Sequence, residues 1–509
     1  MADDVDIYKR IPASRRALAG MVLALSNFMV VLDLTIANVS VPHIAGNLGI
    51  SPDQGAWVIT SYAVAEAICV PLTGWLAMRF GTVRTFIFAM MGFGIFSLLC
   101  GLSPTLGMLV VCRIGQGVCG GPLMPMSQTL MLRVFPPESR GKAMGLWAMT
   151  TLLGPAVGPI LGGYISDNWS WHWIFFINLP ICALCVFAAF ALLRPVETET
   201  KRVPIDKVGL ALLVFWIGCL QVMLDIGRDH DWFADTRIVL LAVGAAIGFC
   251  AFVIWELTED HPVVDLKVFR HPGFTFGVLT LALCFGGYFA SIVLIPQWLQ
   301  LSMGYPATDA GLITAFTAFT AIMVSPIAAR MLGKVDPRIM VSMAVAWLGC
   351  MALWRTTWTS GSDFWTLAVP QILQGFAMSF FMIPLTSITL TAVEPHETAS
   401  AAGLQNFLRT MAVAISTSVI LTVWGDAQRV SRSELVGTLN ADDAQRSLSG
   451  LGVAMDQGRQ MISSIVDQEA IAVAVDHSFL LTAIVLFIAA GVVWLSPRPK
   501  GQADLSAAH

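Results

Sequence analysis

Charge is what this chain of 509 residues is short of: Asp, Glu, Lys and Arg make up 12% of it, where a soluble domain carries about 25%. A chain so poor in charge cannot cover a water-facing surface, so its outside must meet lipid over most of its height. The net charge is only −4 and no basic stretch is interleaved with aromatics, so no nucleic-acid partner is expected. No Gly-Lys-Ser or Gly-Lys-Thr occurs, which excludes a P-loop for nucleotide. The 8 histidines are scattered without metal-ligand spacing, and neither a metal nor another cofactor is expected. A membrane enzyme would need His, Asp or Glu clustered near one face, and a sensor would need an output domain beyond Pro497. Neither is visible, so the chain is not expected to be an enzyme. Behind the charged first sixteen residues no short apolar core ends in a small-residue cleavage site. The run from Ala17 to Val39 is therefore expected to stay in place as an anchor.

What the chain does have is apolar length. Hydrophobic residues make up 56% of it, and the mean hydropathy is +0.74. Crossing a bilayer as a helix takes about 20 apolar residues. Fourteen runs qualify: 17–39, 54–77, 84–102, 106–130, 141–166, 172–193, 206–225, 236–255, 272–300, 308–331, 337–354, 363–391, 398–424 and 476–495. With the N-terminus in the cytoplasm, that side holds 20 of the 29 Lys and Arg, including Arg202, Arg498 and Lys500. The opposite side holds Arg228, Arg237, Arg355, Arg429, Arg432, Arg446 and Arg459, while Arg113 and Arg409 stay inside spans. This positive-inside bias predicts a multi-pass protein of the bacterial inner membrane with both termini cytoplasmic. All 10 cysteines fall within or at the ends of apolar runs. Even the C-x-x-C of Cys182 and Cys185 lies in a membrane segment, where small apolar packing outweighs redox or metal chemistry.

A shift of 258 residues brings Arg113-Ile-Gly-Gln116-Gly117 onto Gln371-Ile-Leu-Gln374-Gly375, Pro137 onto Pro395 and Gly145-Leu146 onto Gly403-Leu404. Spans 4 and 5 thus match spans 12 and 13, an even number of crossings away, so the two copies run in the same direction. The expected fold is all-α and integral to the membrane. A six-helix bundle covers 17–193, two extra spans lie within 194–271, and a second six-helix bundle covers 272–495, with tails at 1–16 and 496–509. The polar stretch 425–475 reads as a long periplasmic loop. The substrate site is expected near the midplane where the repeats meet.

Ionisable residues at membrane depth are costly unless they face a partner or a cavity. Asp33 and Arg113 lie about six and seven residues from the same end of their spans, so at 1.5 Å per residue they share a depth. Asp33 has two readings: a carboxylate that takes and releases a proton as its surroundings change, or one half of a fixed ion pair with Arg113. Glu66, near the middle of span 2, either binds a proton or cation or simply lines a cavity. Arg409, near the middle of span 13, either neutralises a carboxylate or helix end or attracts an anionic substrate. Gln371, Gln374 and Asn406 favour interhelical hydrogen bonding. Together with Asn38 and Gln116, these three and Arg409 are the candidates for a substrate cavity.

Span 5 carries Gly145, then Gly154-Pro155, Gly158-Pro159 and Gly162-Gly163. Glycines four apart share one helix face and admit a close neighbour, and the prolines favour a bend. The pattern G-x8-G-x3-G-P-x2-G-G resembles the antiporter motif of drug:proton exporters of the major facilitator superfamily. Leu32-Asp33-Leu34-Thr35 through Pro42, the Arg113-x-x-Gln116-Gly117 motif, Trp171-His-Trp173 through Asn178-Leu-Pro180, Leu224-Asp225 and Asp231-Trp232-Phe233 resemble the fourteen-span EmrB/QacA family. The loop after span 2, with Gly74, Arg79, Gly81 and Arg84, matches the superfamily's gating loop except that Met78 stands where an Asp is usual. That leaves the loop's ion pair in doubt, with Arg79 and Arg84 acting through helix ends or headgroups instead. The resemblance implies efflux of hydrophobic drugs, uncouplers and weak organic acids by proton antiport. It also implies an EmrA-type periplasmic adaptor and a TolC-type outer-membrane channel as partners, with the 425–475 segment either docking the adaptor or merely capping the protein. The runner-up is a dedicated exporter of one metabolite or siderophore, or an importer, on the same fold.

Overall fold

The computed structural model describes residues 7–50, 52–201, 204–332, 334–394, 396–438 and 455–497. Arg202, Pro395, Arg446, Arg498, Lys500 and the 439–454 part of the long polar segment lie outside the described residues. Each apolar run becomes a helix, since a backbone in lipid must satisfy its polar groups within the segment. In order these are α1 (Ala13–Leu48), α2 (Pro52–Cys69 carried on by Thr73–Phe80), α3 (Thr82–Gly101), α4 (Leu106–Gly120 carried on by Leu123–Val134) and α5 (Pro137–Asn168). Next come α6 (Trp173–Phe176 and Asn178–Leu192), α7 (Lys207–Ile226), α8 (Thr236–Thr258), α9 (Pro272–Leu301) and α10 (Ala307–Met331). The last four are α11 (Pro337–Arg355), α12 (Phe364–Thr391), α13 (Thr398–Thr438) and α14 (Met455–Val492).

Among the described residues twelve helices are long and apolar enough to cross a membrane outright, and counting two bent pairs as single spans makes fourteen. The bends fall at proline, which lacks the N–H that continues a helix. Near Pro71 α2 turns by 59°, and α5 turns by 44° between Pro155 and Ile160. Helix starts are fixed by side chains that accept first-turn N–H groups. Asp206 Oδ1 takes those of Val208 and Gly209 at 3.0 Å, and Asp235, Asp336 and Asp363 start α8, α11 and α12 in the same way.

The first bundle is drawn together by the glycine face of α5 against α1. A Cβ on Gly154 or Gly158 would collide with Val31 or Thr35, and one on Gly162 would stand 2.7 Å from the Ile36 carbonyl. This closeness lets Thr35 Oγ1 donate to the Gly154 carbonyl at 3.1 Å and brings the Ser40 and Ser166 hydroxyls to 2.8 Å. Gly145 does not belong to that face. It points to Ala329 and Ile383 in the other bundle, while Pro155 and Gly163 are half-buried. Cys182 and Cys185 pack against Met29 and Val22 of α1, and all ten cysteines are free.

Two expectations change. The described parts of the polar segment 425–475 are not loop. α13 continues through it to Thr438 and α14 resumes at Met455, so its described parts are helical arms, joined by an ion pair between Arg432 and Asp467. The apolar spans at the membrane end nucleate these helices, and the polar sequence beyond propagates them. Arg355, expected above on the outer side among water-facing charges, is the last residue of α11 and is buried, 1% exposed.

Candidate functional site

The equal depth of Asp33 and Arg113 becomes contact. Arg113 Nη1 donates to Asp33 Oδ2 at 2.7 Å, and Oδ1 accepts from Gln116 Nε2 at 3.0 Å and from Asn178 Nδ2 at 2.6 Å. The guanidinium is held from behind. Its Nε donates to the Val58 carbonyl at 3.0 Å, Nη1 also reaches Gln116 Oε1 at 2.9 Å, and Cζ lies 4.3 Å from the Tyr62 ring centre. Asn178 is steadied by Ser97 at 3.0 Å, whose hydroxyl donates to the Phe175 carbonyl. Asp33, Arg113, Gln116 and Asn178 are all at most 1% exposed. Three donors on one buried carboxylate hold it still. Asn178 and Tyr62 were not picked out as candidates. Asn178 stands in the Trp171–Pro180 signature quoted above, but nothing in the sequence aimed it at Asp33.

Glu66, on α2 and 4% exposed, contrasts with Asp33. Among the described residues its carboxylate has neither a direct ion pair nor a side-chain hydrogen bond, and its main electrostatic partner is Arg409 of α13, ahead of Arg113 and Asp33. The attraction between Glu66 and Arg409 thus acts across the seam between bundles without a direct ion pair. Arg409 Nη2 lies 3.2 Å from Met124 Sδ of α4, and its Cζ is 5.3 Å from the Phe285 ring centre. One turn nearer the N-terminal face, Asn406 donates to Gln128 of α4 at 2.8 Å. Beyond that, Gly74 meets Ser400, Gly403 meets Val70 and Thr73, and Gly141 meets Leu332. The bundles thus touch through glycine in the half of the molecule nearest the N-terminus, on the side away from the helical arms.

The expectation that the polar candidates line an open cavity is not met in this conformation. Gln116, Gln371, Gln374 and Asn406 are 0–3% exposed and engaged in hydrogen bonds, because amides this deep must find partners. Asn38 alone is exposed, and it does not join Asp33. The gating loop receives its missing acid from elsewhere. Glu197, just past α6, accepts the N–H groups of Val83 at 2.9 Å and Arg84 at 3.0 Å, capping α3. It approaches Arg84 Nε only at 4.0 Å, on a largely exposed side chain, so the cap outweighs the ion pair. Gly81 has φ +91°, and a Cβ there would stand 2.6 Å from the Glu197 carboxylate.

A second guanidinium cluster occupies the C-terminal bundle. Arg355 Nη2 donates to Gln371 Oε1 at 3.0 Å and also to Gln374 Oε1, and Thr317 Oγ1 donates to Gln371 Oε1 at 3.1 Å.

Residues 23–417 match the Major Facilitator Superfamily. The chain belongs to that superfamily. It is 43% identical over 499 residues to Multidrug export protein EmrB of Escherichia coli strain K12, covering 97% of this chain and 98% of that one. It is 40% identical, with the same coverage, to Fatty acid resistance protein FarB of Neisseria gonorrhoeae. It is thus an EmrB-type member. Among solved structures, the proton:xylose symporter XylE aligns with a TM-score of 0.60 at 13% identity over 97% of this chain and 99% of that one. The human organic anion transporter MFSD10 aligns with a TM-score of 0.57 at 16% identity, covering 93% and 100%. At such identities these two speak for the fold alone, and the major facilitator fold implied by the resemblance is the one found.

Proposed function

We propose that this transporter is the inner-membrane pump of a three-part efflux system, with both termini cytoplasmic. It exports hydrophobic drugs, uncouplers and weak organic acids in exchange for protons by alternating access. An EmrA-type periplasmic adaptor and a TolC-type outer-membrane channel are its partners, and no bound cofactor takes part. The drug and fatty-acid resistance named for its relatives supports the substrate class.

The observation that carries proton exchange is Glu66 itself, 4% exposed on α2 with no direct ion pair among the described residues and with its attraction to Arg409 acting across the seam. A proton on Glu66 removes the attraction that draws α2 toward α13 and so favours separation of the bundles. Loss of the proton draws them back. Asp33 has the other role, since its three donors lock α1, α4 and α6 into one body that moves as a unit. The driving force suffices: a proton moving inward yields about 2.3 kcal/mol per 100 mV and about 1.4 kcal/mol per pH unit.

The test is Glu66→Gln in proteoliposomes under an imposed pH gradient. Substrate-induced proton movement is expected to vanish while the protein inserts normally. Wild-type coupling in this variant refutes Glu66 as the carrier.

A further inference from the structure

The guanidinium of Arg355 is a buried cation without an anion. It is 1% exposed, and among the described residues no carboxylate lies within ion-pair distance of it. Its two hydrogen-bond acceptors are the neutral amides of Gln371 and Gln374. Around it three buried donors point at nothing: its own Nε, Nε2 of Gln371 and the indole Nε1 of Trp358. The orientation of the Gln371 amide is not arbitrary. Its oxygen already accepts from Arg355 and from Thr317, so its NH2 is the end left over. Trp358 is fixed as well, stacked on Trp298 with ring centres 5.6 Å apart, and Arg355 Cζ lies 5.8 Å from its ring and 5.7 Å from that of Phe479. A buried donor without an acceptor costs about 1–3 kcal/mol, and more where charge is involved. Three such donors around one cation are an excess of positive hydrogen-bonding capacity in a single place.

The internal repeat shows what is missing. The shift of 258 residues puts Gln371 and Gln374 where Arg113 and Gln116 stand, and Arg355 where Ser97 stands. The guanidinium has moved to the neighbouring helix but still lies among the same set of side chains. The shift also puts Ser291 where Asp33 stands. The N-terminal bundle therefore neutralises its arginine with a carboxylate of its own, and the C-terminal bundle carries the arginine and the amides but a serine in place of the acid.

We infer that the Arg355 cluster is an anion site that takes the carboxylate of an organic acid, the guanidinium supplying charge and Gln371 and Trp358 supplying the further hydrogen bonds. Guanidinium and carboxylate match as planar, two-pronged partners, and the flanking rings of Trp358, Trp298 and Phe479 suit the apolar body of such a molecule. The site lies one helix behind the seam. Tyr288 of α9 walls it, 6% exposed, and Phe285 one turn away lies under Arg409. This inference rests on the export of weak organic acids proposed above, and it gives those acids a place separate from the Glu66–Arg409 pair.

The experiment uses the full-length protein purified in detergent and titrated with sodium benzoate or sodium chloride, sodium methanesulfonate keeping the ionic strength constant. Benzoate is expected to raise the thermal unfolding midpoint saturably in the wild type and to have no effect on Arg355→Gln. Trp358→Phe, which keeps the ring but removes the indole donor, is expected to weaken the benzoate response about tenfold, the loss of one hydrogen bond to a charged group. The inference is overturned by an unchanged benzoate response in folded Arg355→Gln or Trp358→Phe. It is equally overturned by a wild-type response to chloride alone, or to neither salt. Wild-type proteoliposomes that pump neither benzoate nor ethidium would refute the exporter reading instead, while the titration would still decide the site.

Discussion

Replacing Asp33 by asparagine keeps the shape of the side chain and removes what its surroundings require. The carboxylate serves three donors, Arg113 on one oxygen and Gln116 and Asn178 on the other. An asparagine offers one oxygen, so whichever way its amide turns, its NH2 faces at least one of those donors. Arg113, 0% exposed, also loses its ion pair. Removing one member of a buried pair costs about 3–5 kcal/mol, a large share of the roughly 5–15 kcal/mol that holds a folded protein together. Arg113→Gln is expected to cost a similar amount. The double variant Asp33→Asn with Arg113→Gln leaves no charge stranded and is expected to be no worse than either single change. The assay is the unfolding midpoint of the four purified proteins, read as a double-mutant cycle, with substrate export measured in parallel. Both single variants are expected to lose export, because the body formed by α1, α4 and α6 loosens. If the two single losses simply add in the double variant, within about 0.5 kcal/mol, the two residues are not a coupled pair and the locking role assigned to Asp33 fails.

Other expectations are more local. Gly158→Ala forces a methyl into Thr35 and is expected to cost about 1–3 kcal/mol of stability, whereas Gly145→Ala, whose nearest neighbour is Ile383 at 3.4 Å, should be close to neutral; equal midpoints for the two would contradict the packing described. Glu197→Ala removes the cap from α3 and is expected to cost about 0.5–2 kcal/mol, while Glu197→Gln, which keeps an acceptor, should retain part of it. The midpoint of Glu197→Ala matching the wild type would show that the cap does nothing. Deleting about 430–470 is expected to abolish chemical crosslinking to an EmrA-type adaptor while uphill transport by the isolated pump persists, and undiminished crosslinking would rule out docking on the arms.

The membrane architecture was legible because lipid imposes so few solutions. Runs of twenty apolar residues in lipid can only be helices. The Asp33–Arg113 contact could be anticipated because depth along a helix is simple arithmetic. Rotation about the helix axis was not legible, so Asn178 escaped notice as a partner and Asn38 was placed with the wrong group. The burial of Arg355 was not legible for a related reason: at the end of an apolar run, charge alone does not say whether a side chain reaches outward to water or inward among neighbours. The arms at 425–475 were missed because an uncapped polar stretch following a stable helix carries no signal to stop. Glu197 as a helix cap depends on a contact across more than a hundred residues, which no local pattern encodes.

The added pair α7–α8 has a consequence for how a compound dissolved in the bilayer would meet this protein. Leu213, Trp216 and Ile217 of α7 share one apolar cluster with Ala67 and Val70 of α2 and with Leu404, Phe407 and Met411 of α13, and Trp216 lies edge-on to Phe407 at 5.9 Å. One of the two lateral clefts between the bundles is therefore plugged from the lipid side by this hairpin. The other, bordered by α5 and α10, has no such plug among the described residues, so the two flanks of the protein are unequal doors to molecules arriving sideways from the membrane.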